Sequence, residues 1–403
     1  KIIMLNSTAL MLKLYDNLAS AAIQALKTIL QERKRTSHVL QKITAKHPKW
    51  GARDRRTVYT IVYDCIRWRR LFANMIQANF EEISEDQLLS VWCHRNEFIW
   101  NNNKKSLRQN ELKNMPPEVL ASYPDWLFAL GSKELPSLWD QEYAALNKQA
   151  AVSIRVNRLR SHPEKLQMEL QQRYAIKSRL MKGFPDALQL EQGRKLNKNS
   201  LFLKGYFEIQ DAHSQKIAPF TKVAPGMNVI DMCAGAGGKS LHLAALMRNK
   251  GQLLAYVLEE TKLKSLHQRS ERAGVKIIQS NLLKKDTELP ENKKWADVVL
   301  IDAPCSGLGT LKRNPELKWR LSLEQIETLQ DTQFKLLESA AEWVKPKGVL
   351  VYATCSILPS ENERQIEQFL NKNQGFELEE KQQLYAHQSE FDGFFMARLK
   401  RTI

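Results

Sequence analysis

Residues Val298–Trp319 read VVLIDAPCSGLGTLKRNPELKW. The segment opens as an unbroken apolar run, the signature of a strand buried on both faces. It then stops on Asp302, Ala303, Pro304 and Cys305 and enters a glycine-rich loop. A second stretch, VLVYATCSILPSENE from Val349 to Glu363, repeats the plan and ends its strand on Thr354 and Cys355. Two strands that each deliver a thiol, one beside a carboxylate, decide the reading of the C-terminal half.

The strand-like runs NVIDMC, GQLLAYVL and VKIIQSN precede these two. Helical patterns such as KLKSLHQRSERAG and LEQIETLQDTQFKLLESAAEWV lie between runs. Such alternation predicts an α/β, Rossmann-like domain over residues 212–403, with a mostly parallel sheet covered by helices on both faces. Ligands of such sheets bind at the carboxyl ends of the strands. Ser360 followed by Glu363 reads as a capping box, placing a helix start shortly after Cys355, where a helix N-terminus favours a thiolate. In the usual strand order the fourth and fifth strands are neighbours, so Cys305 and Cys355 are expected to face one pocket. The first strand ends in DMCAGAGGKS, Asp231 to Ser240. Its glycines fit neither a Walker A loop nor GxGxxG, leaving a tight turn over which a ligand approaches a helix N-terminus.

The rest of the chain has a different character. Residues 1–145 carry apolar spacings of three and four, as in LASAAIQALKTILQ and RRTVYTIVYDCIRWRR, and predict an all-helical domain. Six arginines fall between Arg53 and Arg70, with Tyr63 and Trp68 among them. RNA contact and a solvated basic face over an aromatic core are equally open for that helix. Residues 146–211 read as a small α/β linker domain, with AVSIRVNRL and SLFLKGYFEIQD as strands flanking the helix PEKLQMELQQRY. Lys and Arg total 61 against 44 Asp and Glu, a formal charge of +17 that favours a polyanionic partner. No apolar run is long enough for a membrane span. The five cysteines form no CxxC pair and no zinc spacing, which argues for a reducing cytoplasm, no metal, and thiols used as nucleophiles. Oligomeric state is not legible.

Carbon 5 of cytosine is a poor nucleophile. A thiolate added to carbon 6 turns the ring into an enamine that attacks an electrophilic methyl group, while a carboxylate near N3 assists. A proton must then leave carbon 5 before the enzyme is eliminated. DAPCSGLGTLKRNPELKW, YATCSILPSENE and DMCAGAGGK resemble the signature motifs of the Nop/Sun RNA cytosine methyltransferases, and IRVN resembles the family's upstream motif. The resemblance implies S-adenosyl-L-methionine as cofactor, Cys355 as nucleophile, Cys305 assisting release, and Asp302 on the cytosine or the cofactor. It also implies a cofactor pocket lined by Cys233, Ala234, Gly235, Ala236, Gly237, Gly238 and Lys239. Arg155, Asn157, Lys312, Arg313 and Asn314 are expected to hold RNA, as is Lys318. WGARDRRTVYTIVYDCIRWRR resembles the NusB-like RNA-binding domain of the RsmB-type bacterial members, which points to 16S ribosomal RNA.

Two positions depart from the family pattern. The acid expected at the end of the second strand is Val257, with Glu259 close behind, and the Asp expected after the third strand is Asn281. These departures favour the chief rival reading, a catalytically weak RNA-binding or ribosome-assembly factor on the same fold. A DNA cytosine methyltransferase is the other rival; the Thr-Cys motif and the NusB-like region speak against it.

Overall fold

The computed structural model describes residues 12–100, 115–191, 196–283 and 293–403. The chain divides into two compact units. One comprises residues Lys1–Asn147 with Arg313–Leu323, and the other Lys148–Lys312 with Glu324–Ile403.

The first unit is helical apart from the two-residue strands β1 (Leu12–Lys13) and β2 (Phe98–Ile99), which pair in parallel. Helix Ala52–Arg67 buries Val58, Ile61, Val62, Cys65 and Ile66, spaced as one helical face requires. Cys65 and Cys93 sit in the same core, with Tyr63 and Trp68 packed against it. Helix Glu85–Arg95 starts on a capping box formed by Ser84 and Gln87. Half of the basic cluster is internal. Arg67 is buried, the Arg69 guanidinium lies over the Trp319 ring, and Arg70 donates to the carbonyl of Tyr123 while pairing with Asp125. Arg53 and Arg56 remain exposed.

Arg313–Leu323, which follows the Pro-Cys loop, belongs to this helical unit, and its polar side chains anchor it there. Thr36 donates to Glu316 through its amide at 3.1 Å and its hydroxyl at 2.9 Å. Lys318 is only 1% exposed. Its ammonium donates to Asn147 Oδ1 at 2.6 Å and to the carbonyls of Ser122 and Arg67 at 3.1 and 3.3 Å. It also stands 3.9 Å from the centre of the Tyr123 ring. The expected phosphate contact by Lys318 is thereby replaced by an internal role: the four-carbon stem reaches inward and carbonyls solvate the charge.

The second unit contains two sheets. Strands β3 (Val152–Val156), β4 (Ser178–Met181), β5 (Phe184–Leu190) and β6 (Phe207–Ile209) form an antiparallel sheet in the order β4-β5-β3-β6, with helix Pro163–Tyr174 connecting β3 to β4. The expected strand at SLFLKGYFEIQD is shorter, because Asn199 caps a helical turn at Ser200–Leu203 and Gly205 (φ +72°) reverses the chain. The pair β4 and β5 was not signalled by the flanking-strand pattern.

The large sheet comprises β7 (Asn228–Asp231), β8 (Gln252–Val257), β9 (Ile278–Leu282), β10 (Ala296–Asp302), β11 (Val344–Thr354), β12 (Phe376–Leu384) and β13 (Phe394–Arg401), ordered β12-β13-β11-β10-β7-β8-β9. The five expected strands pair in parallel, and β12 and β13 add an antiparallel edge. Alternate residues of β10 feed opposite cores. Val299 and Ile301 pack toward helices Leu323–Ala341 and Glu363–Lys372; Val298 and Leu300 pack toward helices Gly238–Leu246 and Glu260–Ala273. Chain order reverses direction between β7 and β10, so the carboxyl ends of these strands frame the ligand crevice. Among the described residues no helix is long and apolar enough to cross a membrane.

Lys318→Ala leaves several buried acceptors unpaired and should lower unfolding stability by about 3 kcal/mol. Chemical denaturation followed by tryptophan fluorescence checks this, and a change within about 0.5 kcal/mol would refute the internal role.

Candidate active site

The glycine turn is built by its surroundings. β7 ends on Asp231, fully buried, whose Oδ2 accepts the Ser240 hydroxyl at 2.7 Å while Oδ1 has no partner. Burial and the nearby Asp302 raise the Asp231 pKa to about 6, against the Ser240 hydrogen bond. The turn needs glycine at Gly237, where φ is +82° and a Cβ would stand 2.9 Å from Leu266. Over Gly238, the first residue of helix Gly238–Leu246, space is open. Two arginines hold the turn by its carbonyls: Arg155 donates to Gly238 O at 2.6 Å and Arg269 to Ala236 O at 2.8 Å. Buried Glu208 pairs with both Arg269 and Arg272. An orphaned buried carboxylate oxygen, an open glycine backbone and a helix N-terminus fit the methionine end of the expected cofactor.

The other expected cofactor residues are spread along neighbouring strand ends. Val257 is buried among apolar neighbours at the end of β8, while Glu259 and Asn281 are exposed at the ends of β8 and β9. Cys233 packs against the core, and burial, with Asp231 and Asp302 nearby, pushes its thiol pKa up. Lys239 reaches back across the crevice to Asp302, Nζ to Oδ2 at 2.6 Å. Burial alone would lower the lysine pKa; the Asp302 charge and hydrogen bond outweigh it and raise it. That ion pair was not foreseen, because Lys239 and Asp302 lie on different strand ends.

Parallel pairing of β10 and β11 sets Asp302 opposite Ala353. Just past these ends the two thiols meet, Cys305 Sγ to Cys355 Sγ at 3.3 Å. The hydrogen bond to Cys355, burial and the Cys355 charge hold the Cys305 pKa well above that of a free thiol. The loops are close-packed: the Gly309 amide donates to Cys355 O at 2.9 Å, and a Cβ on Gly309 would lie 2.3 Å from Gly393 O. The expected helix start after Cys355 shifts. The helix runs Glu363–Lys372 with Asn362, not Ser360, at its N-cap and no side-chain cap. Asn362 is occupied elsewhere, accepting from Thr354 Oγ1 at 2.6 Å and donating to Ser356 O at 3.2 Å. A turn at Pro359–Glu361 separates Cys355 from that helix, so no helix N-terminus stands at the thiol.

The expected RNA-binding residues are placed differently. Arg155 is 3% exposed and committed to Gly238 and Gln210. Asn157 is buried, donating to the carbonyls of Gly205 and Ala273, both at 2.8 Å. Lys312 is buried too, with Nζ on the carbonyls of Ala386, Ser389 and Phe391 at 3.0, 3.0 and 2.9 Å. Arg155, Asn157 and Lys312 therefore hold the protein together rather than a phosphate, because buried charged and amide groups take protein oxygens as partners. Arg313 and Asn314 fall in the segment anchored in the helical unit, half-buried, with the Arg313 charge acting on Tyr63. A separate cavity of about 220 Å³ lies beside Phe184, Asp186, Lys216 and His242 and is lined by none of the expected site residues. His242 Nε2 there donates to Asp186 Oδ2 at 3.1 Å, and burial lowers its pKa to about 4. Among the described residues no cluster of His, Cys, Asp or Glu could hold a metal ion.

Comparison with known proteins fits this geometry. The family described as "16S rRNA methyltransferase RsmB/F" matches residues 221–400, and "Methyltr_RsmF/B-like, ferredoxin-like domain" matches residues 123–197. The chain is 34% identical over 305 residues to the probable ribosomal RNA small subunit methyltransferase B of Synechocystis sp. (strain ATCC 27184 / PCC 6803 / Kazusa), covering 70% of this chain and 67% of the relative. It is 32% identical over 290 residues to ribosomal RNA small subunit methyltransferase B of Yersinia pseudotuberculosis serotype O:1b (strain IP 31758), covering 69% and 66%. The chain thus spans about two thirds of the length of these relatives. The crystal structure of PH0851 superposes with a TM-score of 0.83 at 27% identity, covering 97% of this chain and 100% of that one.

Asp231 has a folded-state pKa above the ordinary 3.8, so the folded protein binds the extra proton. The stability this gives is present below pH 4 and lost as pH rises through about 6. Asp231→Asn should therefore gain on the wild type between pH 4 and pH 8, by at most about 3 kcal/mol, and match its pH dependence below pH 4. Urea titrations across that range check it; a difference that does not vary with pH would exclude the buried ionisation.

Proposed function

The chain belongs to the RsmB/F family of ribosomal RNA methyltransferases, and from that membership we propose that it methylates carbon 5 of a cytosine in RNA, with 16S ribosomal RNA as substrate, through a covalent Cys355–cytosine intermediate. The observation that carries the chemistry is the thiol pair at 3.3 Å beyond two adjacent strand ends, with the Lys239–Asp302 pair on the same crevice.

S-adenosyl-L-methionine, held by the Asp231–Lys239 turn with Glu259 and Asn281 available toward its other end, supplies an electrophilic methyl group when bound. The rest is done by side chains of the chain. Cys305, held as a thiol by its hydrogen bond to Cys355 and by burial, lies 3.3 Å from the attacking sulfur. Cys355 adds to carbon 6 of the cytosine, and the electron pair moves into the ring as the proton-bearing Asp302–Lys239 pair stabilises charge at N3. Once Cys355 is bonded to carbon, its charge and its hydrogen-bond acceptance are gone. These are among the leading causes that hold the Cys305 pKa up, so Cys305 becomes the more acidic thiol and can release its proton. Carbon 5, made nucleophilic by the addition, would bond to the methyl group as the methyl–sulfur bond breaks. The Cys305 thiolate then takes the proton from carbon 5, and that electron pair re-forms the C5–C6 double bond. The bond from Cys355 to carbon 6 breaks with its electrons returning to sulfur. RNA is held by surface cations of the +17 chain, among which exposed Arg53 and Arg56 are candidates.

Incubation with small-subunit RNA and labelled cofactor, resolved on a denaturing gel, tests the assignment. Cys305→Ala should accumulate a protein–RNA adduct, whereas Cys355→Ala should form none and lose methyl transfer by roughly 1,000-fold or more. Exchanged phenotypes would reverse the two roles, and a wild type inert on every RNA with no measurable cofactor binding would leave a ribosome-assembly factor as the reading. With Val257 unable to accept a ribose hydroxyl, Glu259→Ala should weaken cofactor binding about tenfold by calorimetry; unchanged affinity would exclude Glu259 as the substitute.

A further inference from the structure

Glu361 takes no part in the steps above, yet it is 0% exposed and fully engaged. Its Oε1 accepts the Ser306 amide at 2.8 Å and Gln333 Nε2 at 3.0 Å. Its Oε2 accepts the hydroxyls of Ser306 and Ser356. Ser306 directly follows Cys305, and Ser356 directly follows Cys355. All four partners donate, a set that a carboxylate can satisfy at both oxygens and a neutral amide cannot. Gln333 extends the grip by donating also to Pro304 O at 2.9 Å, on the other side of Cys305. The two hydroxyls lie 3.3 Å apart, the same separation as the two sulfurs one residue earlier. A carboxylate held by four neutral donors is an expensive group to bury, and it is retained where its hydrogen bonds fix a geometry.

We infer that Glu361 is a positioning residue: by clamping Ser306 and Ser356 to one carboxylate it sets the separation of the Cys305 and Cys355 thiols, and with it the order of attack and release. The inference rests on the two-thiol reading given under the proposed function. The Glu361 charge acts in the same direction, since it also raises the Cys305 pKa, after the larger effects of Cys355 and burial. Without the carboxylate the two loops keep their strand anchors, but the serines lose their common acceptor and the sulfurs drift apart.

Phenylarsine oxide reads thiol separation independently of catalysis, because its arsenic bonds two nearby sulfurs and releases water. The full chain as wild type, Glu361→Ala and Glu361→Gln is titrated with it and followed by intact mass. Cys305→Ala serves to subtract binding by the other cysteines. Iodoacetamide alkylation, calorimetry with S-adenosyl-L-methionine and single-turnover methyl transfer are measured alongside. The wild type should be bridged one to one. Glu361→Ala should lose the bridge while both thiols remain alkylated and cofactor affinity is unchanged, and its turnover should fall on the order of 100-fold, as expected for an ångström-scale misplacement. Glu361→Gln, which can still accept at one oxygen, should lie between. Wild-type bridging and turnover in Glu361→Ala would overturn the inference. If that variant fails to fold, a folded Glu361→Gln that bridges and turns over like the wild type would overturn it equally. Loss of the bridge in a folded variant, in a protein whose wild type forms no RNA adduct, would support the clamp while removing the covalent mechanism.

Discussion

Parallel pairing of β10 with β11 carries Asp302 to the level of Ala353, and everything chemical in the second unit depends on that register. Side chains in a strand alternate faces, so a slip by one residue would turn the buried Val299 and Ile301 toward the wrong core. The apolar cores on both sides of the sheet therefore fix the register far more firmly than any polar contact at the strand ends. With the register fixed, the loops after Asp302 and Thr354 emerge side by side. Their thiols have little freedom left, because Gly309 packs backbone to backbone against Cys355 and Gly393.

Buried charge is the second organising feature. Arg155, Lys312 and Lys318 are three basic side chains in a strongly basic chain, and each is turned inward onto carbonyl oxygens. Arg155 reaches from strand β3 to the glycine turn, Lys312 to three carbonyls between β12 and β13, and Lys318 to carbonyls of Arg67 and Ser122. Arg155 braces the glycine turn from the small sheet, together with Arg269 and the buried Glu208. A net charge of +17 thus overstates the cationic surface available to a polyanion.

The thiol pair stands just beyond the ends of two adjacent parallel strands. Cys305 and Cys355 lie within hydrogen-bond distance, and the bond to Cys355 together with burial holds the Cys305 pKa well above that of a free thiol. No helix N-terminus stands at Cys355, since the helix after it begins only at Glu363.

The sequence by itself determined the strand–helix alternation, the five parallel strands, the helical first unit and the placing of Asp302, Cys305 and Cys355 at strand ends. These follow from hydrophobic period and from turn residues, both local signals. Tertiary structure alone decided the Lys239–Asp302 pair, the burial of Arg155, Asn157 and Lys312, the transfer of Arg313–Leu323 to the helical unit, and the four donors gathered on Glu361. In PSENE the pattern favoured a capping box from Ser360, but Asn362 and Glu361 were drawn to Thr354, Ser306 and Ser356 instead. The reason is physical: whether a polar side chain faces water, a phosphate or a carbonyl depends on which groups the fold leaves unpaired nearby, and those groups lie tens to hundreds of residues away in the chain.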